Sequence, residues 1–392
     1  MLCFAAGRCA AVRREVSMSP KSVWAVVMVL AVLAASVGEA ESADPPEQDP
    51  VLLRFVERAM TYYPDSTFRV TSIDRRQTPS GSYRLVEVDR ACAIDRLSGP
   101  RTVVIDDVSD LAWFGSAAQL PLQEAGVGGD ALRNFLNEFL PGALKSSLRM
   151  KASLDWTDPP HGNGALLSFW LVVDSGYGEY RKAASVTSDG AFVVLGPVYS
   201  LDEDPVEYRH RLLSDSEVVV WDHMASEDAP VEIVEFSDLE CPACRRTWPT
   251  VKAVLEGNGS KVNHGMVSFP LTVIHPWSFR SSCASWCVSA QQPDLMLPFK
   301  ELFYDLQTEM GVSLVTPTAM DFVTANGLDE AAFENCYLKA PSLDAVHGQL
   351  ALGHKLGIMS TPTYVVNGYV LQVVDDEWLT QLIDDLAAGK SP

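Results

Sequence analysis

A chain of 392 residues, 47% hydrophobic and 21% charged, is ordinary globular material and too long for one domain, so two folded units are expected. The formal net charge of -21 argues against a nucleic-acid groove or a surface drawn to anionic lipid.

Residues 1–40 read as an export signal. Arg8, Arg13, Arg14 and Lys21 form a positive n-region, the apolar run Val23 to Val37 follows, and Gly38-Glu39-Ala40 offers small residues for cleavage. The run is shorter than the ~20 residues a spanning helix needs, so a retained membrane anchor is the lesser reading. Export to the periplasm or another extracellular side of the membrane is the expectation. Cys3 and Cys9 would leave with the signal, and Cys92, Cys241, Cys244, Cys283, Cys287 and Cys336 would remain. In an oxidising compartment these suggest disulfides before metal, and spacing alone does not choose the pairs.

Residues 41–205 read as an α+β N-terminal domain. Leu52, Phe55, Val56, Met60 and Tyr63 recur at helical spacing up to Pro64, which stops the helix. Alternating runs at Thr67–Ile73, Tyr83–Val88 and Arg101–Ile105 predict strands. The order then recurs: a helix from about Asp130 to Leu140, stopped by Pro141, then strands at Leu148–Leu154, Leu166–Val173, Tyr180–Val186 and Ala191–Leu195. A Pro-x-Gly turn falls at Pro79–Gly81 and again at Pro160–Gly162. An internal duplication is one reading and chance agreement the other. Residues 206–228 are charged and read as a linker, with an edge strand at Val218–Trp221.

The texture changes at residue 229. Val231 to Phe236 is a compact apolar strand that runs at once into Cys241-Pro242-Ala243-Cys244, and Arg245 to Leu255 reads as a helix. Pro242 falls in the first turn, where its missing N–H costs nothing. Cys241 thus sits at the positive end of a helix, where a thiolate is stabilised and its pKa falls below the free value of about 8.5. Cys244, one turn further in, is shielded. An exposed thiolate that attacks a disulfide, backed by a thiol that releases the mixed disulfide, is the geometry of exchange chemistry. Glu240 and Asp238 would oppose the stabilisation if they lie near the sulfur, so a moderate shift is expected.

On these residues the C-terminal part, 229–392, resembles DsbA-like members of the thioredoxin superfamily. Pro249 matches the proline that kinks the active-site helix. Glu235 matches the buried acid that exchanges protons with the resolving thiol. Thr361-Pro362-Thr363, leading into the strand Tyr364-Val365-Val366, resembles the cis-proline loop that holds substrate backbone. Helical patterns at Ser278–Gln291, Leu295–Glu309, Pro317–Ala325 and Ser342–Leu356 correspond to the helical insertion of such domains. The resemblance implies an α/β thioredoxin-like fold and a structural Cys287–Cys336 disulfide. It departs from the strongest oxidants, which carry histidine where Ala243 stands, and Thr361 resembles the isomerase and reductase branches.

The function expected is an extracytoplasmic thiol–disulfide oxidoreductase that forms, reduces or isomerises protein disulfides, with Cys241 as nucleophile, Cys244 resolving, Glu235 relaying protons, and Thr361 and Pro362 positioning substrate. No cofactor or metal is expected. The partners implied are exported proteins with cysteines and a redox protein that recycles the dithiol. Zinc held by Cys241, Cys244, Cys283 and Cys287 is a weak rival, because glycine-rich knuckles are missing. The rival from another class is a chaperone or scaffold whose N-terminal domain carries the function. His275 and His354 show no metal spacing; His354 reads as a helix-surface residue, and neither is given a role. Trp277, Trp286, Phe299, Phe303 and Tyr304 read mostly as core.

Overall fold

A computed structural model describes residues 48–78, 80–94, 98–120, 129–148, 151–157, 165–174, 179–226 and 228–391. The expected export signal, Pro79 of the first Pro-x-Gly turn and the whole of the second lie outside the described residues.

The N-terminal half is sheet-rich. Helix α1 (Pro50–Ala59) precedes four antiparallel strands, β1 (Thr67–Thr78), β2 (Gly81–Ala91), β3 (Gly99–Asp106) and β4 (Leu111–Gln119). Helix α2 (Gly129–Leu148) precedes β5 (Lys151–Asp155), β6 (Leu166–Asp174), β7 (Glu179–Thr187), β8 (Phe192–Leu195) and the short β9 (Val198–Ser200). The strands form one sheet ordered β1-β2-β3-β4-β8-β7-β6-β5, with β9 also on β4. Helix followed by four antiparallel strands thus occurs twice, and the two sets meet where β4 pairs with β8.

Asp49 caps α1 through the amides of Val51 and Leu52, and Leu52, Val56 and Ala59 turn inward against Val86, Val88 and Val103. Leu132, Leu136 and Leu140 recur every fourth residue on α2 and pack on Phe169, Leu171 and Val186. Pro141 does not end α2, which runs on to Leu148. A proline removes one helical hydrogen bond and bends the helix, and here the buried leucine stripe before it holds the helix against the sheet. Strand β4 was not expected, because Gly115, Ser116, Ala117 and Ala118 give it no apolar alternation.

Residues 206–228, expected as a linker, contain most of helix α3 (Pro205–Ser214) and strand β10 (Val220–His223). Asp204 caps α3, and Arg209, wholly buried, binds both halves. Its guanidinium donates to the Ala59 carbonyl (3.1 Å), the Tyr199 hydroxyl (3.0 Å) and the Gly368 carbonyl (2.7 Å). The Tyr62 amide adds a bond to the Val370 carbonyl at 2.7 Å.

The C-terminal sheet is ordered β10-β12-β11-β13-β14, from β11 (Val231–Ser237), β12 (Val262–Ser268), β13 (Thr363–Val366) and β14 (Tyr369–Leu371). Strand β11 is buried at all positions but Glu232, as a central strand covered on both faces must be. It lies parallel to β12, with helix α4 (Pro242–Asn258) crossing between them, and antiparallel to β13. Between β12 and β13 stand α5 (Ser278–Ser289), α6 (Met296–Asp305), α7 (Val315–Ala325), α8 (Glu330–Cys336) and α9 (Ala340–Lys355); α10 (Asp376–Ala387) ends the fold. Asn367 (φ 43°) and Gly368 (φ 87°) make the tight β13–β14 turn, and a Cβ on Gly368 would meet the Val206 carbonyl at 2.0 Å. Phe299, Phe303 and Tyr304 of α6 and Trp277 are buried, and Trp286 is partly so. His354 is buried at 3% exposure rather than on the surface, because α9 is packed between the insertion helices, β12 and β7.

Candidate functional site

Cys241 is the N-cap residue of α4, and Pro242 opens the first turn. Extended backbone from β11 delivers the cysteine to the helix start, and Gln307 of the segment after α6 pins the loop by donating to the carbonyls of Leu239 (2.8 Å) and Cys241 (3.1 Å). Both Cys241 and Cys244 are free thiols. Cys241 keeps 5% of its surface exposed and Cys244 none, so the attacking sulfur is more enclosed than its sequence position implied. Pro249 lies inside α4.

The Thr361–Pro362 peptide bond is cis, and its loop faces the first sulfur: Cys241 Sγ donates to the Thr361 carbonyl at 3.4 Å. The Thr361 hydroxyl is buried with no hydrogen-bond partner among the described residues. A shallow pocket of about 420 Å³, lined by Ala243, Arg246, Thr247, Thr361, Pro362 and Gln372 among others, opens beside this loop.

The Cys241 thiol is pulled down to about 6. The largest cause is a hydrogen bond from the Cys244 thiol; burial opposes it, the Cys244 amide at the helix start adds to it, and Asp238 opposes. Burial drives Cys244 the other way, well above the ordinary thiol range, and the neighbouring Cys241 and Glu235 push in the same direction. The two sulfurs are therefore split into a thiolate and a protonated thiol.

Glu235 is fully buried on β11, but its oxygen is taken by Lys300 of α6 at 2.6 Å, and His264 of β12 stands 3.7 Å away. Burial raises its pKa, and the charges of Lys300 and His264 overcome that to hold it at about 2. His264 is itself bound to Asp222 of β10 at 2.6 Å, which offsets burial and lifts the imidazole to about 9. Lys300 Nζ also lies 3.4 Å from the Trp248 ring centre. An acid expected alone under the thiols is thus one member of a buried chain, Asp222–His264–Glu235–Lys300. Lys300 and His264 hold the Glu235 carboxyl below its ordinary range, and its charge is one of the causes that raise Cys244. Lys300 had a sequence signal, a lysine on the stripe formed by Met296, Phe299, Phe303 and Tyr304.

On the other side of the sulfur, Asp238 accepts from His275 Nδ1 at 2.6 Å and from the Leu271 amide at 2.9 Å. Burial opposes a charged His275, but Asp238 and the nearby Cys241 raise its pKa. His275 therefore belongs to the site, although no spacing in the sequence pointed to it. Glu240 accepts from the Trp277 amide at 2.6 Å and is raised by burial to about 8, so it opposes the thiolate less than its position implied.

Cys287 and Cys336 form a disulfide, with Cα atoms 5.8 Å apart. That removes Cys287 from any zinc set, and among the described residues no group of His, Cys, Asp and Glu is placed to hold a metal ion. Cys92 and Cys283 are free.

A βαβ unit with Cys-x-x-Cys at the head of its helix, faced by a cis-proline loop on an adjoining hairpin, defines the thioredoxin fold. Residues 222–385 match the family described as Thioredoxin, and with the helical insertion they are similar to DsbA-like thioredoxin-fold proteins. The chain is 26% identical over 172 residues to disulfide bond formation protein D of Bacillus subtilis (strain 168), covering 43% of this chain and 77% of that protein. It is 29% identical over 153 residues to the Na(+)/H(+) antiporter NhaA 1 of Mycobacterium sp. (strain KMS), covering 38% of this chain but spanning only 24% of the antiporter. Among solved structures, oxidised BdbD from Bacillus subtilis superposes with a TM-score of 0.38 at 25% identity, covering 43% of this chain and 94% of that one. The catalytic domain of Proteus mirabilis ScsC gives 0.39 at 22%, covering 47% and 97%. Among the described residues, no helix is long and apolar enough to cross a membrane.

Proposed function

We propose that this chain is an extracytoplasmic thiol–disulfide oxidoreductase acting on cysteines of exported proteins through Cys241-Pro242-Ala243-Cys244. The observation that carries the reading is the split pair at the head of α4: Cys241 held near 6, Cys244 held protonated, and the Thr361–Pro362 loop against the first sulfur.

In the reducing direction the Cys241 thiolate attacks a substrate disulfide. A Cys241–substrate S–S bond forms, and the other substrate sulfur leaves as a thiolate. Cys244 then gives its proton to the substrate thiolate already released and attacks Cys241 Sγ, forming the Cys241–Cys244 disulfide and releasing the second substrate sulfur as a thiolate. Oxidation is the reverse, and a redox partner restores the starting state. Thr361 and Pro362 hold the substrate backbone, and the Thr361 hydroxyl is available to donate to the sulfur anion. Only the dithiol form carries the stabilised thiolate, so the low Cys241 pKa favours reduction of this site and makes it a stronger oxidant than an unshifted pair would be. The N-terminal sheet is read as an internal duplication, supported by the repeated helix-and-four-strand order.

The test is insulin reduction and oxidative refolding of a scrambled disulfide protein, with Cys241→Ser beside the native chain. Loss of both activities in the variant is expected. Activity retained by Cys241→Ser refutes the assignment.

A further inference from the structure

The pocket between the two halves carries a feature that the thiol chemistry does not use. It measures about 290 Å³ and is walled by Phe114 and Tyr199 from the N-terminal sheet and by Ile358 and Met359 from the C-terminal domain. Lys182 of β7 lines it, 8% exposed, with no carboxylate paired to it among the described residues. Burial alone depresses its amine, to about 8, and no anion offsets the penalty. Arg101 lines the same pocket, and no aspartate or glutamate does.

The pocket adjoins the groove beside the cis-proline loop. Gln372 lines both, and Met359 of the pocket is joined through Ser360 to Thr361 and Pro362 of the groove. Three peptide units separate Met359 from Pro362, so their Cα atoms lie within about 11 Å. The groove carries Arg246 and, like the pocket, no acidic side chain. In a chain of net charge -21, a run of surface from Pro362 to Lys182 without one carboxylate is a selective feature.

We infer that this pocket is a second substrate subsite, in which Lys182 receives the carboxylate of an acidic residue on an extended polypeptide whose cysteine is at Cys241. The inference rests on the oxidoreductase reading and extends it to substrate class: cysteine segments with a carboxylate a few residues from the reacting sulfur. At ~3.3 Å per extended residue the ~11 Å from Pro362 to Met359 corresponds to about three residues, so the carboxylate is sought from the third residue outward. Entry of the carboxylate gives a buried cation its partner, a charge-assisted bond in a low-dielectric site. The apolar walls accept the stem of the side chain.

The test uses the full chain carrying Cys241→Ser, so that no exchange occurs, and fluorescein-labelled peptides with serine at the cysteine position. Aspartate is scanned through the third to fifth residues on either side, each peptide paired with its asparagine twin. At one position aspartate should bind about tenfold or more tighter than asparagine, less so at high salt, and Lys182→Met should bring that ratio toward one while Lys182→Arg retains it. A ratio near one at every position in the Lys182 protein overturns the inference, and that arm needs no Lys182 variant to fold. So does an unchanged ratio in Lys182→Met whose circular dichroism matches the parent. Turnover of the cysteine versions by the native chain is a separate arm. Turnover without acidic preference sinks the subsite alone, whereas acidic preference without turnover sinks the oxidoreductase reading alone.

Discussion

The pH dependence of Cys241 alkylation tests the electrostatics of the site directly. With the thiol held at about 6, roughly nine-tenths is thiolate at pH 7, against a few per cent for a free cysteine near 8.5. That is a gain of about thirtyfold in reactive species. Intrinsic nucleophilicity falls with pKa at a Brønsted slope near 0.4–0.5, which takes back about tenfold. The absolute rate at pH 7 therefore discriminates poorly, and the midpoint of the profile is the quantity to read. Cys92 is half-buried and also shifted down, so the measurement belongs in a Cys92→Ser background, with the labelled site read by mass spectrometry. Iodoacetamide labelling of the reduced protein should show a midpoint near 6. Cys244→Ala removes the largest stabilising contact, a hydrogen bond to an anion worth about 1.5–3 kcal/mol. At ~1.4 kcal/mol per pH unit the midpoint should climb by about one to two units. A native midpoint at or above 8, or a midpoint that Cys244→Ala leaves in place, refutes this account of the site.

Further outcomes follow from the surrounding structure. Cys287→Ser should cost on the order of 4 kcal/mol in chemical unfolding, because the lost bond closes a loop between residues 49 apart, while the Cys241 alkylation midpoint stays put. Glu235→Gln leaves Lys300 buried without its partner, so it should destabilise by roughly 3–5 kcal/mol. The Cys244 pKa should fall in the same variant, which thiol titration would detect. His264 has a folded pKa near 9, above its unfolded value of 6.5, so its contribution is complete below pH 6.5 and is lost as pH rises through 9. Urea melts across that window should show a loss on the order of 3 kcal/mol that His264→Gln lacks.

The thiol site was legible because its parts are local: a buried strand, two cysteines three apart and a proline at the first helical turn lie within one short segment. Thr361 and Pro362 were reachable only through resemblance, since nothing in the sequence between them and Cys241 says that the two loops meet. The chain Asp222–His264–Glu235–Lys300 draws one residue each from β10, β12, β11 and α6. Only sheet order brings these together, and sheet order is not written in periodicity. Strand β4 escaped notice because hydrophobic alternation is missing from its second half. There the chain packs backbone on backbone: a Cβ on Gly115 would meet the Leu195 carbonyl at 2.0 Å, and one on Gly196 the Phe114 carbonyl at 1.9 Å. The continuation of α2 past Pro141 shows that a breaker rule yields when the turns before the proline are anchored against a sheet.

Arg209 fastens the end of α1 and a tyrosine of the N-terminal sheet to the very hairpin that follows Pro362. Cutting the chain near residue 205 would therefore strand the Ala59 carbonyl on one fragment and the buried Arg209 guanidinium on the other, and would cost the hairpin its bond from the Tyr62 amide. The two halves are mechanically one machine. A load applied to the outer sheet has a route of one buried side chain to the hairpin that follows Pro362, so the sheet is in a position to set how firmly that hairpin is held.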